Sequence, residues 1–126
     1  MEVIAATSFD ERFDPAGVLN SDIKQFWVTT GLYPQELTIS FNQARVINEV
    51  KFTSTGIKKA IIQGCQTQSG NSFKEIGTTK ELSGKDGASL QKDSVRVTQP
   101  SSYIMLKFII QDGWDDFASV HNIEIC

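Results

Sequence analysis

Apolar and polar residues alternate along much of this chain with a period of two, and that spacing constrains its fold more than any other feature. Leu37-Thr38-Ile39-Ser40-Phe41 alternates strictly, and Val120-His121-Asn122-Ile123-Glu124-Ile125 reads as another alternation. A half-buried β-strand does this because successive side chains leave the pleated backbone on opposite faces. Val46 to Phe52 has the same habit, with Val46, Val50 and Phe52 in one phase and Ile47 out of step, which predicts a bulge or a sheet edge. Val3 to Thr7, Lys58 to Cys65, Phe73 to Thr79 and Ser94 to Thr98 read as further strands. Tyr103 to Ile110 is almost continuously apolar, which predicts a central strand buried on both faces.

The strands number about eight and are separated by Gly, Ser, Asn and Asp clusters. No segment offers a helix of about ten residues or more; Asp14-Pro15-Ala16-Gly17-Val18-Leu19 predicts one short turn, capped by Asp14 with Pro15 at its first position. Without an internal repeat or a linker, this pattern predicts one all-β domain over residues 1–126, a β-sandwich or jelly roll. The Phe26-Trp27 pair is expected to plug one end of the sandwich, with Gly31 and Pro34 turning the chain into the next strand. The Gly- and Ser-rich stretch from Lys80 to Lys92 is expected to be the most mobile internal loop.

Composition narrows the function. The 126 residues carry a formal net charge of −3, and no basic patch with interleaved aromatics appears, so a nucleic-acid surface is not expected. No apolar run approaches the roughly 20 residues of a membrane helix, and the start lacks the basic region of a secretory signal. Two distant cysteines, Cys65 and Cys126, read as thiols in a reducing compartment.

Catalytic chemistry finds little to stand on. His121 is the only histidine and sits in a strand-like alternation, where a structural role is the simpler reading; no nucleophile or orienting acid can be paired with it. Two thiols and one imidazole cannot complete a structural zinc site. Ser83-Gly84-Lys85-Asp86-Gly87 lacks the strand–loop–helix setting of a phosphate loop. The carboxylates of Asp112-Gly113-Trp114-Asp115-Asp116 could offer oxygens to Ca²⁺, although their spacing fits no known loop and a solvated turn explains them as well. Trp114 there either folds over the core or presents a contact surface. The polar turn Val18-Leu19-Asn20-Ser21-Asp22 is likewise a turn first, and an ion holder second.

Several stretches, in this order, carry a family resemblance. They are Ala6-Thr7-Ser8 with Asp10-Glu11, then Phe26-Trp27-x-Thr29-Thr30-Gly31-x-x-Pro34-Gln35-Glu36, then Leu106-Lys107-Phe108-Ile109-Ile110, and finally Asp115-x-Phe117-Ala118-Ser119-Val120-His121. With them the chain resembles the small β-sandwich subunit of intraflagellar transport complex B, the heat shock protein beta-11 family. The resemblance implies a galactose-binding-domain-like jelly roll without catalytic activity. It implies a heterodimer with the Rab-like small GTPase subunit of that complex, contacts with other complex B subunits, and a place in the cilium or flagellum and the cytoplasm. It also implies a possible Ca²⁺ before the Phe-Trp pair, at Gly17, Asn20 and Gln25, where the family carries Asn, Asp and Thr. Loss of the carboxylate at Asn20 is expected to weaken such a site. The surface expected to hold the partner includes Tyr33, beside Leu32, and Trp114. The rival reading is a calcium-dependent carbohydrate-binding module, with Trp114 as platform beside Asp112, Asp115 and Asp116.

Overall fold

The computed structural model describes residues 1–8, 12, 14–19, 26–29, 32–67, 72–82 and 90–126. Seven strands and one short helix are formed by these residues: β1 (Glu2–Ala6), a 3-10 helix (Pro15–Leu19), β2 (Trp27–Val28), β3 (Gln35–Thr55), β4 (Ile57–Cys65), β5 (Lys74–Thr78), β6 (Gln91–Gly113) and β7 (Ser119–Ile125). The helix begins as its sequence dictates: the Asp14 carboxylate accepts from the Ala16 amide at 2.9 Å, and the Asp14 carbonyl accepts from the Gly17 amide at 2.9 Å. No helix of the described residues is long and apolar enough to cross a membrane.

Among the described residues the strands number seven rather than the expected eight: two pairs of predicted strands are continuous, which leaves six, and the short β2 adds one. Leu37–Phe41 and Val46–Phe52 are both parts of β3, which is 21 residues long; Ser94–Thr98 and Tyr103–Ile110 are both parts of β6, which is 23. The chain stays extended between the halves and changes register instead of turning. β3 pairs antiparallel with β6 along its length, with irregularities between Ser40 and Arg45 and between Ile47 and Glu49. Those irregularities let each long strand serve two layers. One layer runs β1, the first half of β3, the second half of β6, β4 and β5. The other runs β2, β7, the second half of β3 and the first half of β6.

The irregularity after Ile47 also settles the phase that the sequence leaves ambiguous. Ile47 is fully buried and Val46 is exposed, so Ile47 is the residue in step with the core. Inward positions run Leu37, Ile39, Phe41, then Ile47, then Val50 and Phe52, with one extra residue shifting the alternation. The Cys126 carbonyl accepts from the amides of Asn48 (2.8 Å) and Glu49 (3.2 Å), satisfying the two donors that the irregularity would otherwise strand. Between the layers, Phe52 and Phe108 meet edge to face with ring centroids 5.0 Å apart. Tyr103–Ile110 forms a central stretch between β3 and β4, with Leu106, Phe108 and Ile110 fully buried, as the apolar run predicts. Asp93, opposite Phe52, has a buried Oδ2 without a hydrogen-bond partner among the described residues, and burial pushes its carboxyl above the usual range.

Trp27 closes one end of the sandwich. Its side chain is fully buried, β2 pairs Trp27 with Val120, and the indole Nε1–H donates to the Ser8 carbonyl at 3.0 Å. Replacing Trp27 with Ala should therefore cost about 3 to 5 kcal/mol. Urea unfolding followed by circular dichroism measures this, and an unchanged midpoint would show that the ring does not plug the core.

Candidate functional site

The residues that carry the family resemblance are mostly internal. Thr29 is buried and clasps β7's approach: its amide donates to the Ala118 carbonyl at 2.9 Å, and its Oγ1 accepts from the Ala118 amide at 2.9 Å. Gln35 is buried too, with Nε2 donating to the Leu32 carbonyl at 2.7 Å and Oε1 accepting from the hydroxyls of Thr7 and Ser8. These bonds tie β1, the loop before β3 and β7 into one unit. His121 belongs to the same interior. It is buried, stacks on Phe26 with centroids 4.3 Å apart, and places Nε2 2.9 Å from the Ser119 hydroxyl. A Ser–His contact is thus present, with both side chains covered and Thr55 Oγ1 also bonded to Ser119.

An accessible arrangement lies where the segment before β3 meets the end of β6. Leu32, Tyr33, Gly113, Trp114, Asp115 and Asp116 line a shallow concavity of about 360 Å³. Gly113 makes it possible: a Cβ there would overlap the Tyr33 ring, whose Cε2 would lie 2.8 Å away. The Tyr33 hydroxyl donates to the Asp115 carbonyl at 3.1 Å. Burial pushes the Tyr33 phenol above its ordinary value of 10.0, a hydrogen bond with Thr29 opposes this, and the carboxylates of Asp112, Asp115 and Asp116 add to the rise. The phenol therefore stays protonated at neutral pH and remains a donor.

Trp114 is neither a core residue nor a free platform. Its amide donates to the Gly56 carbonyl at 2.9 Å, in the turn between β3 and β4 where Gly56 takes φ +74°. Its indole Nε1–H donates to the Leu82 carbonyl at 3.1 Å, and the Lys58 ammonium lies 4.8 Å from the ring centroid. The ring is half-buried and fixed. Around it the surface is apolar and acidic: Leu32 is 92% exposed, Phe117 is 59% exposed, and Asp112, Asp115 and Asp116 face solvent. Sequence reading singles out Tyr33 and Trp114, and the structure brings them to one rim. It does not single out Gly113 or Phe117; the spacing of Gly113 before Trp114 was the available signal.

The other expected ligand set is only partly described. Gly17 is buried in the 3-10 helix, whereas Asn20 and Gln25 lie outside the described residues, as does most of the Lys80–Lys92 loop. Among the described residues no three His, Cys, Asp or Glu side chains converge on a point that could hold a metal ion.

No protein-family model matches the chain. The human protein named intraflagellar transport protein 25 homolog is 34% identical over 122 residues, 97% of this chain and 83% of that protein, and its mouse counterpart matches to the same extent. Intraflagellar transport protein 25 of Chlamydomonas reinhardtii is 29% identical over 123 residues; this chain spans 63% of its length. Among solved structures, a CBM32 domain of Clostridium perfringens in complex with GalNAc-β-1,3-galactose superimposes with a TM-score of 0.82, covering 96% of this chain and 91% of that one at 16% identity. Chitosan-binding module 1 from a Paenibacillus chitosanase/glucanase gives 0.83, covering 97% and 92% at 15% identity. At such identities the likeness establishes the galactose-binding-like β-sandwich and nothing about a ligand.

Two effects of the rim geometry are measurable. Gly113→Ala should displace Tyr33 and lower stability by about 1 to 3 kcal/mol, as overpacking does. The raised Tyr33 value also implies alkaline lability: the unfolded chain ionises first, so stability present below about pH 10 is lost as pH climbs through the folded value. Melting temperatures at rising alkaline pH should fall less steeply in Tyr33→Phe than in the parent, and parallel curves would contradict this.

Proposed function

Because the chain belongs to the intraflagellar transport protein 25 family, we propose that it works as a non-catalytic subunit of intraflagellar transport complex B in the cilium or flagellum and the cytoplasm. Its partner in this reading is a Rab-like small GTPase subunit, with other complex B subunits beyond it, and the rim of Tyr33 and Trp114 contributes to the contact. Family membership through relatives matched over nearly the whole chain carries this reading. The rim supports it physically. Fixed aromatic side chains beside exposed Leu32 and Phe117 are the kind of anchor that dominates protein interfaces, because little side-chain freedom is left to lose on association.

Calcium is a secondary element of the proposal. Gly17 has no side chain to ligate with, and Asn20 and Gln25 offer neutral amide oxygens in place of a carboxylate, so an ion held there by these and by backbone carbonyls binds weakly. The sugar-binding alternative is less favoured by the geometry of Trp114, whose ring already lies against the Lys58 ammonium and whose indole N–H is already committed.

Co-expression with the Rab-like GTPase subunit should yield a complex that survives gel filtration, and Tyr33→Ala or Trp114→Ala should weaken it by about 2 kcal/mol or more, as loss of an interface hot spot does. Affinity unaltered in both variants would remove the rim from the interface, and no complex with the parent chain would remove the partner. For calcium, a thermal shift is expected to be small at about millimolar Ca²⁺; a rise in melting temperature at micromolar Ca²⁺ would show a tight site that the side chains do not explain.

A further inference from the structure

We infer that the rim selects a basic partner segment: an extended or looped stretch in which Arg or Lys side chains flank one or two apolar ones. This rests on the reading of the rim as a contact surface and goes beyond it by naming the chemistry that the surface accepts. Leu32, Tyr33 and Trp114 line one concavity at one end of the sandwich; Leu32 is well exposed, and Tyr33 and Trp114 are held in place by hydrogen bonds to the Asp115 and Leu82 carbonyls. These supply a seat for aliphatic side chains or alkyl stems. The electrostatic part decides the occupant.

Asp112 is shared with Lys58 at 4.0 Å, but the carboxylates of Asp115 and Asp116 make no ion pair among the described residues and are exposed beside the concavity. A partner bringing acidic groups here would meet uncompensated like charge. One bringing cations would meet two carboxylates and the Asp115 edge of a rigid aromatic floor. Lys58 against Trp114 shows that an ammonium is accommodated at the indole from this chain's own side. The same charges raise the rate at which a cationic segment finds the rim, so recognition depends on ionic strength.

The two indoles provide a readout, since Trp27 is fully buried while Trp114 is at the rim. The test is a titration of the full chain with the capped peptides Arg-Leu-Arg-Leu-Arg and Glu-Leu-Glu-Leu-Glu, followed by Trp emission and by amide shifts of residues 32–33 and 113–117. The basic peptide is expected to saturate the change, with affinity about tenfold weaker at about 500 mM salt than at about 50 mM. The acidic peptide should produce no change. In the double variant Asp115→Lys, Asp116→Lys the preference should reverse, and in Asp115→Asn, Asp116→Asn it should vanish. Because both residues are exposed, these variants should melt like the parent. Equal responses to the two peptides, a basic preference that survives the reversal, or no shift at the rim with the basic peptide each overturn the inference. Failure of the GTPase to co-purify while the peptide preference reverses as expected would sink the proposed partner alone; a salt-insensitive GTPase complex with no peptide preference would sink the charge selection alone.

Discussion

Two strands that each belong to both layers hold this molecule together. β3 and β6 pair with one another from Gln35–Ile110 to Ser54–Gln91, and their register changes carry the same ribbon from one sheet into the other. Because side chains alternate with a period of two, an extended strand crossing between layers without a correction would turn polar residues inward. The register change after Ile47 goes with that correction, Val50 taking up the inward phase, and the Cys126 carbonyl accepts from the amides of Asn48 and Glu49. Phe52 and Phe108 can then meet across the interior although they lie on different strands and in different layers.

Among the described residues, most of those that carry the family resemblance lie inside, and Asp115 alone of them lines the concavity of the rim. Thr29, Gln35, Ala118, Ser119 and His121 are covered and bond to one another's segments. Their identity is dictated by packing and by the need to satisfy buried polar groups. Leu32, Tyr33 and Trp114 stand directly beside this unit, so the interior network fixes the backbone from which the exposed side chains project. A surface built on such a base loses little freedom when something docks.

Fold class was legible in the sequence because alternation is a local signal, as in Leu37–Phe41 and Val120–Ile125. Strand number was not, because the alternation lapses at residues 42–45 and 99–102, where the chain changes register and stays extended instead of turning. Val46 misled for a similar reason: its phase fits Val50 and Phe52 only if nothing is inserted between them. At the rim, the types of Tyr33 and Trp114 pointed to a contact surface, but their meeting depends on a missing Cβ at Gly113, and that is a three-dimensional fact. Trp114 lies between the two readings of its sequence setting, half-buried against the fold and open at the rim. A carbonyl from Leu82, 32 positions away, holds it in between.

A shared ribbon also sets the order of events in folding. β3 is complete by residue 55, yet its neighbours β6 and β7 arrive only with residues 91–125. Neither sheet can assemble first and wait, since each would lack the half-strands it borrows from the other. Formation of the core therefore waits on the closing of long loops, the non-local kind of pairing that makes β topologies slow to fold.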